Sequence, residues 1–278
     1  MAPLASVRLA GVNRGTPTEA EPPVPEQGLL RRLSDWLDSV EVTRRLKHGA
    51  SRVPGLSSMV KLSGRRRLRR FERRGDARQR SKARWRSTRP EAGLTWGIEL
   101  SGDPLVDVAD HYGAFGRGRT ILEIGPGYGR LLRACLARGV EFDRYIGLDI
   151  SENNVRELRD QIGDERVTIL EGDAETASFE SPFDTVLSFL TFKHFYPSFE
   201  RVLRNLEPQL RAGALVLFDL IEGTREYFEW DQVTFVHEYA REDVKEILER
   251  CSLDLVAFDT VEHAPDRVRM VVVAKKPS

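Results

Sequence analysis

The residues best suited to ligand chemistry lie where an apolar run ends in a glycine-rich loop. Gly125, Gly127 and Gly129 alternate after the run 120–124, and the acidic Glu123 lies just before them. Glycine lets the main chain turn sharply and approach a ligand without an intervening side chain. In a parallel sheet, nucleotide-like ligands bind beyond the carboxyl ends of the strands. The pattern therefore predicts a site for a nucleotide-like cofactor at this loop.

The glycine spacing argues against the dinucleotide and phosphate-loop classes of site. A dinucleotide site needs a third glycine three residues after the second, and that position holds Arg130. An arginine there would obstruct both the packing of helix on strand and the approach of a pyrophosphate. The loop also lacks the terminal Lys-Ser/Thr of a phosphate loop. Neither NAD nor a triphosphate is expected.

Polar residues also end the apolar runs that follow. Asp149 closes the second run, Asp173 follows the third, and Ser188 lies in the fourth. A carboxylate at a strand end can accept both hydroxyl hydrogens of a ribose, and it can equally cap the next helix. With the glycines in place, the ligand-binding role is favoured for Asp149.

In chain order these motifs resemble those of the class I S-adenosylmethionine-dependent methyltransferases. The matching segments are 123–129, 145–151, 170–174, 183–189 and 210–218. The resemblance implies a methyltransferase whose cofactor is S-adenosylmethionine. It assigns Asp149 to the ribose hydroxyls, Asp173 to the adenine amino group, and the main-chain N–H of Ala174 to an adenine ring nitrogen. Glu171 and Glu175 are competing carboxylates near Asp173. The complete predicted cofactor set is Glu123, Gly125, Gly127, Gly129, Asp149, Ile150, Asp173, Ala174 and Ser188.

His194 is the candidate catalytic base, because it follows the fourth strand and imidazole titrates near neutrality. A histidine that caps the next helix or packs under Tyr196 fits the sequence equally well. Lys193 would assist an anionic acceptor such as a phosphate or carboxylate, and as a surface lysine it would be solvated. Trp96 is placed to cover the cofactor or to pack against the sheet.

Asp219 and Glu222, after the fifth run, are alternative bases or metal ligands. Glu222, His194 and His237 offer oxygen and nitrogen donors, but their spacing does not require a metal, and none is predicted. The Asn/Asp-Pro-Pro-aromatic signature of enzymes that methylate base amino groups is missing after the fourth run.

Seven apolar, β-branched runs predict the strands that position these side chains. They are 120–124, 145–150, 167–170, 185–189, 214–220, 253–261 and 268–274, and helical patterns separate most of them at 129–138, 153–162, 199–210 and 242–251. This alternation predicts a doubly wound α/β fold with a mostly parallel seven-strand sheet. Only the last two strands lack an intervening helix, so the final strand is expected to be antiparallel, at or near one edge.

An N-terminal extension precedes this fold. Residues 1–28 are rich in Pro and Gly and predict a disordered tail. Residues 29–93 combine an amphipathic helix with an Arg-rich stretch. Residues 94–278 are then the expected methyltransferase domain. Residues 61–89 hold 14 Lys and Arg against Glu72 and Asp76, a net charge of +12 in a chain whose total is zero. The rest of the chain is therefore acidic.

This basic segment has three candidate partners. It could bind RNA or DNA phosphates with Trp85 and Phe71 stacking on bases, or lie on an anionic membrane surface. It could also dock against the acidic body of its own subunit or of a second copy in a homodimer. Because the resembling fold begins only at residue 120, we expect cofactor binding to survive deletion of residues 1–89.

The remaining composition narrows the class of protein. Two distant cysteines, Cys135 and Cys251, cannot build a disulfide scaffold or a cysteine-rich metal site. No apolar run approaches the ~20 residues that span a bilayer, and a cytoplasmic location is expected. The favoured function is methyl transfer to an oxygen, or less favourably a nitrogen, of a small polar or saccharide (glycan) acceptor. The alternatives are an RNA or protein methyltransferase recruited through 61–89, and a non-catalytic cofactor-binding scaffold.

Overall fold

The computed structural model describes residues 77–88, 101–229, 233–262 and 268–278. The predicted tail, the amphipathic helix, the first part of the basic stretch, Trp96 and the boundary at residue 93 lie outside the described residues. The described helices are α1 (Ala77–Arg86), α2 (Asp103–His111), α3 (Arg130–Ala137), α4 (Glu152–Gln161), α5 (Glu200–Leu206) and α6 (Arg241–Arg250). Two 3₁₀ turns, Phe192–His194 and Glu207–Gln209, complete the helical elements of this part of the chain.

A mixed sheet forms the centre of the molecule. Its strands are β1 (Thr120–Ile124), β2 (Arg144–Asp149), β3 (Val167–Glu171), β4 (Phe183–Ser188), β5 (Leu210–Glu222), β6 (Glu226–Phe228), β7 (Phe235–Tyr239), β8 (Asp254–Glu262) and β9 (Val268–Lys275). The parallel part has the order β3-β2-β1-β4-β5, and β9 pairs antiparallel with β5 and with β8. The predicted α/β fold with an antiparallel last strand is confirmed, and β9 lies one strand in from the edge strand β8.

Two short strands were not expected from the sequence. After pairing with β9 along Leu215–Leu220, β5 continues to Ile221 and Glu222, which pair in parallel with β7. β6 then pairs antiparallel with β7. Since β6 has only three residues, the segment carries too short an alternation to predict. The extra pair matters because it places Phe235 of β7 beside the 3₁₀ turn that carries His194.

Apolar side chains alternate across the sheet, so each face carries its own core. On one face, Leu122 and Phe218 pack in a cluster with residues of α5 and α6. On the other, Ile121 and Leu217 pack with residues of α2, α3 and α4. This arrangement, typical of parallel sheets buried on both sides, fixes the carboxyl ends of β1, β2 and β4 at one rim.

α1 has a different basis for its position. Its sequence is strongly polar, and only Ala77 and Ser81 are buried, so apolar packing alone does not account for where it lies. Its contacts with the body are mainly ion pairs and hydrogen bonds, described below. Within the described ranges, no helix has the length and apolar character needed to cross a bilayer.

Candidate active site

A cavity of about 270 Å³ opens at the carboxyl ends of β1, β2 and β4. It is lined by the glycine loop after β1, the end of β2, the loop after β3, the segment after β4, and one side of α1. Predicted cofactor residues in its wall are Glu123, Gly125, Gly127, Asp149, Ile150, Asp173 and Ala174, and His194 lies in the same wall. The structure therefore brings the predicted base and most of the predicted cofactor set together.

The alternating glycines have different surroundings. Gly127 has φ +57°, and a Cβ added there would meet no atom within 4 Å, so its main chain faces open cavity. Gly129 immediately precedes α3 and has φ +80°. A Cβ added to it would lie 2.6 Å from Leu158 Cδ2. Gly129 is absent from the cavity wall. It permits close packing of α3 on α4, whereas Gly127 exposes main chain to a ligand.

Asp149 lies at the end of β2 with both carboxylate oxygens bound to main chain. Oδ2 accepts a hydrogen bond from the Gly127 N–H at 2.9 Å, and Oδ1 accepts one from the Ser151 N–H at 2.8 Å. Burial raises the pKa of Asp149, and these N–H donors oppose that shift. The carboxylate thus joins the glycine loop to the start of α4.

Glu123 lies deeper, on β1 itself. Its carboxylate accepts a hydrogen bond from the Tyr145 hydroxyl at 2.7 Å. Burial, opposed by this hydrogen bond and assisted by the charge of Asp149, raises the pKa of Glu123 to about 7. The side chain can therefore change protonation state near neutral pH within the cavity wall.

Asp173 and the neighbouring Glu175 are held by α1. Lys82 donates to Asp173 Oδ2 at 2.6 Å and to Glu175 Oε2 at 2.7 Å. Arg78 lies 3.6 Å from the same Glu175 oxygen. Lys82 thus bridges two carboxylates at the predicted adenine end, and an adenine amino group would share Asp173 with it.

α1 also crosses the acceptor side of the cavity. The Trp85 and His194 rings have centroids 4.5 Å apart. The Thr88 carbonyl oxygen accepts hydrogen bonds from Ser151 Oγ at 2.9 Å and Asn153 Nδ2 at 3.1 Å. α1 thus forms part of the cavity wall, which argues against the expectation that cofactor binding survives deletion of residues 1–89.

His194 lies in the 3₁₀ turn after β4 and does not cap α5. Its Nδ1 lies 2.7 Å from the Phe235 carbonyl oxygen. A carbonyl only accepts, so Nδ1 carries the proton and Nε2 keeps its lone pair. Burial, with the charge of Lys193 as the next cause, holds the pKa of His194 well below its usual range. The imidazole is therefore neutral at physiological pH and is a weak base.

The remaining candidates lie elsewhere. Ser188 Oγ donates to the Ile124 carbonyl at 2.9 Å, which joins β4 to β1 outside the cavity wall. Glu222 pairs with Arg241 at 2.9 Å, and His237 Nδ1 lies 2.9 Å from the Pro197 carbonyl. Neither Glu222 nor His237 lines the cavity that contains His194. Within the described part of the chain, no His, Cys, Asp and Glu side chains converge in a metal-binding group.

Sequence reasoning missed the contribution of α1 to this site. Lys82, Trp85 and Thr88 line the cavity from a segment that precedes β1 by more than 30 residues. Thr191, whose Oγ1 lies 3.2 Å from the Gly125 carbonyl oxygen, was also missed. The available signal was electrostatic: a basic segment joined to an acidic body favours docking within one chain.

Comparison with known proteins agrees with this geometry. The methyltransferase domain family matches residues 122–218. A phthiotriol/phenolphthiotriol dimycocerosates methyltransferase of Mycobacterium ulcerans is 28% identical over 156 residues, which are 50% of this chain and 56% of that protein. A fatty-acid O-methyltransferase of Mycolicibacterium smegmatis is 28% identical over 116 residues, which are 41% of this chain and 42% of that protein. The chain thus spans about half the length of these relatives.

Solved structures show the same fold. The Burkholderia thailandensis 1,6-didemethyltoxoflavin-N1-methyltransferase, determined with 1,6-didemethyltoxoflavin and S-adenosylhomocysteine bound, aligns with a TM-score of 0.58 at 20% identity. The alignment covers 71% of this chain and 87% of that chain. At this identity the likeness concerns the fold alone. Residues 122–218 match a methyltransferase domain family, and the motifs and fold of the chain are similar to those of the class I S-adenosylmethionine-dependent methyltransferases.

Proposed function

We propose that the protein transfers a methyl group from S-adenosylmethionine to an oxygen atom of a small acceptor. The observation that carries this proposal is a single cavity that joins the Gly127–Asp149 loop to the end of β4. A cofactor bound at the first region would direct its reactive group toward the second. The family match to a methyltransferase domain supports the same activity.

The residues present fit this cofactor. A Cβ at Gly127 would project into the cavity, so the bare main chain leaves room that a side chain would fill. Asp149 would accept the ribose hydroxyl hydrogens, and Asp173 with Ala174 would bind the adenine. When bound, S-adenosylmethionine supplies an electrophilic methyl carbon.

The protein's own part in methyl transfer is alignment and exclusion of water. In-line displacement requires the acceptor atom to be held close to the methyl carbon, and restricting its motion provides much of the rate gain. Trp85, whose ring is tilted by 45° to that of His194, would cover the acceptor region and limit access of water. The Phe235 carbonyl fixes the His194 ring, so Nε2 is the atom that would accept a proton from a hydroxyl acceptor.

One comparison supports methyl transfer to an oxygen of a small acceptor: a relative is named for O-methylation of fatty acids. The alternative of nucleic-acid recruitment through 61–89 receives no support from the described part of that segment. There, Lys82 and Arg78 bind carboxylates of their own chain.

Transfer of labelled methyl groups tests this function. The full chain is incubated with S-adenosylmethionine labelled in its methyl group and with separate pools of sugars, alcohols, carboxylic acids, RNA and protein. We expect label in a small-molecule product, with little dependence on salt. Label in RNA that is lost as salt rises would support the recruited-enzyme alternative. Cofactor binding without transfer to any pool would indicate the scaffold.

A further inference from the structure

Lys193 is a buried cation in the cavity wall, and none of the proposed cofactor contacts involves it. Only 9% of its surface is exposed, yet it lines the cavity beside His194. Its ammonium makes no hydrogen bond or ion pair with any of the described residues. An ammonium withdrawn from water without a partner is costly, and such groups normally have a counter-ion. The position therefore suits a ligand that brings negative charge.

Charges of both signs surround Lys193. Arg269 and Arg130 disfavour its protonated form, whereas Asp219 and Glu229 favour it. Burial is the largest cause that lowers the pKa of Lys193, to about 7. A negative charge on a ligand would oppose this shift and keep the ammonium protonated.

The neighbouring wall indicates what the rest of the ligand is like. Leu190 and Phe195 flank Lys193 in sequence and line the same cavity, and Trp85 closes it from α1. Burying apolar ligand surface against such side chains contributes about 25 cal/mol per Å². A buried ammonium beside these apolar side chains matches a ligand with an anionic head and an apolar body.

We propose that Lys193 binds the carboxylate head of an acceptor with an apolar body, and that an oxygen of this carboxylate receives the methyl group. The inference rests on the proposed function and narrows its acceptor to carboxylic acids. A carboxylate lone pair forms the new C–O bond while the methyl carbon–sulfur bond breaks, and the electron pair of that bond stays on sulfur. The products are a methyl ester and S-adenosylhomocysteine, and no proton moves. The weak basicity of His194 is consistent with an acceptor that is already deprotonated.

Binding calorimetry with a matched pair of probes tests the inference. Octanoate and octanamide have the same chain and differ in the charge of the head group. Each is titrated into the full chain saturated with S-adenosylhomocysteine, and separately into Lys193→Met, Lys193→Arg and Lys245→Met. Lys245 lies exposed on α6 and serves as the control for loss of a lysine.

We expect the unmodified chain to prefer octanoate by about 10- to 100-fold, the range for a charge-assisted contact. Lys193→Met should abolish the preference for octanoate without changing the affinity for S-adenosylhomocysteine. Lys193→Arg should retain part of the preference, and Lys245→Met should show the same preference as the unmodified chain. Equal binding of both probes, binding of neither, or a preference that survives in Lys193→Met would overturn the inference and leave the proposed function standing. Failure to bind S-adenosylhomocysteine would overturn both.

Discussion

The two ends of the cavity are built in different ways. At the cofactor end, Asp149 bonds to Gly127 and Ser151, so residues close to the ends of β1 and β2 hold one another. At the acceptor end, His194 contacts Trp85 and Phe235, which lie more than 40 residues away on either side in sequence. The cofactor end depends on main-chain geometry at the carboxyl ends of adjacent parallel strands. The acceptor end depends on how separate segments pack together.

This difference separates cofactor binding, which does not depend on the acceptor, from the selection of the acceptor. A site made of main-chain N–H groups and strand-end carboxylates can bind one cofactor whatever the acceptor is. An acceptor region made by Trp85, the turn after β4 and β7 can change without disturbing that cofactor site, whereas Lys82 of the same helix contacts the cofactor end. We therefore expect substitutions at the cofactor end to abolish binding, and substitutions at the acceptor end to alter selectivity or stability.

Asp149→Ala should produce the largest effect on cofactor affinity. The variant lacks the carboxylate that is proposed to accept two charge-assisted hydrogen bonds from the ribose hydroxyls. At about 1.5–3 kcal/mol each, their loss corresponds to at least a 100-fold weaker affinity for S-adenosylhomocysteine. Calorimetry measures the affinity, and thermal unfolding checks the fold. Asp160→Ala, at an exposed position of α4, is the control. Should the alanine variant not fold, Asp149→Asn retains the shape and removes the charge; an unchanged affinity there would refute the ribose assignment.

Gly127→Ala and Gly139→Ala form a matched pair that isolates the ligand effect from backbone strain. Both glycines have positive φ, +57° and +64°, and an added Cβ meets no atom within 4 Å at either. Both variants should lose about 1–2 kcal/mol of unfolding free energy. Only Gly127 lines the cavity, so only Gly127→Ala should weaken cofactor binding, by about 10-fold. Equal losses of affinity in the two variants would show that Gly127 acts through stability alone.

Lys82→Met tests whether α1 belongs to the site or only lies near it. The variant leaves Asp173 and Glu175 without their shortest ion pairs, of 2.6 and 2.7 Å. We expect a loss of about 1–3 kcal/mol in unfolding free energy by urea denaturation, together with weaker cofactor binding. Arg117→Met breaks an exposed pair in which 87% and 57% of the two side chains face solvent. It should have no measurable effect. Identical results for the two variants would mean that α1 is dispensable.

Glu123→Gln should change the pH dependence of stability. The pKa of Glu123 is raised by burial to about 7 in the folded protein. Between its usual value and 7, the folded state binds more protons than the unfolded state, so stability is lost as pH rises through this interval. The limiting slope is about 1.4 kcal/mol per pH unit. Urea denaturation at pH 5.5 and 8.0 should show a smaller decline for Glu123→Gln than for the exposed control Glu249→Gln. Parallel declines would contradict the buried titration.

The same contrast explains how far the sequence could be interpreted. Glu123, the glycines and Asp149 follow predictable strands at fixed offsets, so their meeting at one rim follows from parallel topology alone. Gly129 and Ser188 share that motif pattern, but their neighbours across the fold, Leu158 and Ile124, give them packing roles. Trp85 and Lys82 reach the cavity through tertiary packing, for which local periodicity carries no signal. The positive charge of segment 61–89 favours docking against the acidic body, but the sequence does not indicate which of its residues reach the cavity.

The most direct test of the central claim is a calorimetric titration of the unmodified full chain with S-adenosylhomocysteine and, in parallel, with NADH. The glycine loop and Asp149 predict saturable binding of S-adenosylhomocysteine at one site per chain and no binding of NADH. Saturable binding of NADH, or no binding of S-adenosylhomocysteine by folded protein, would contradict the account.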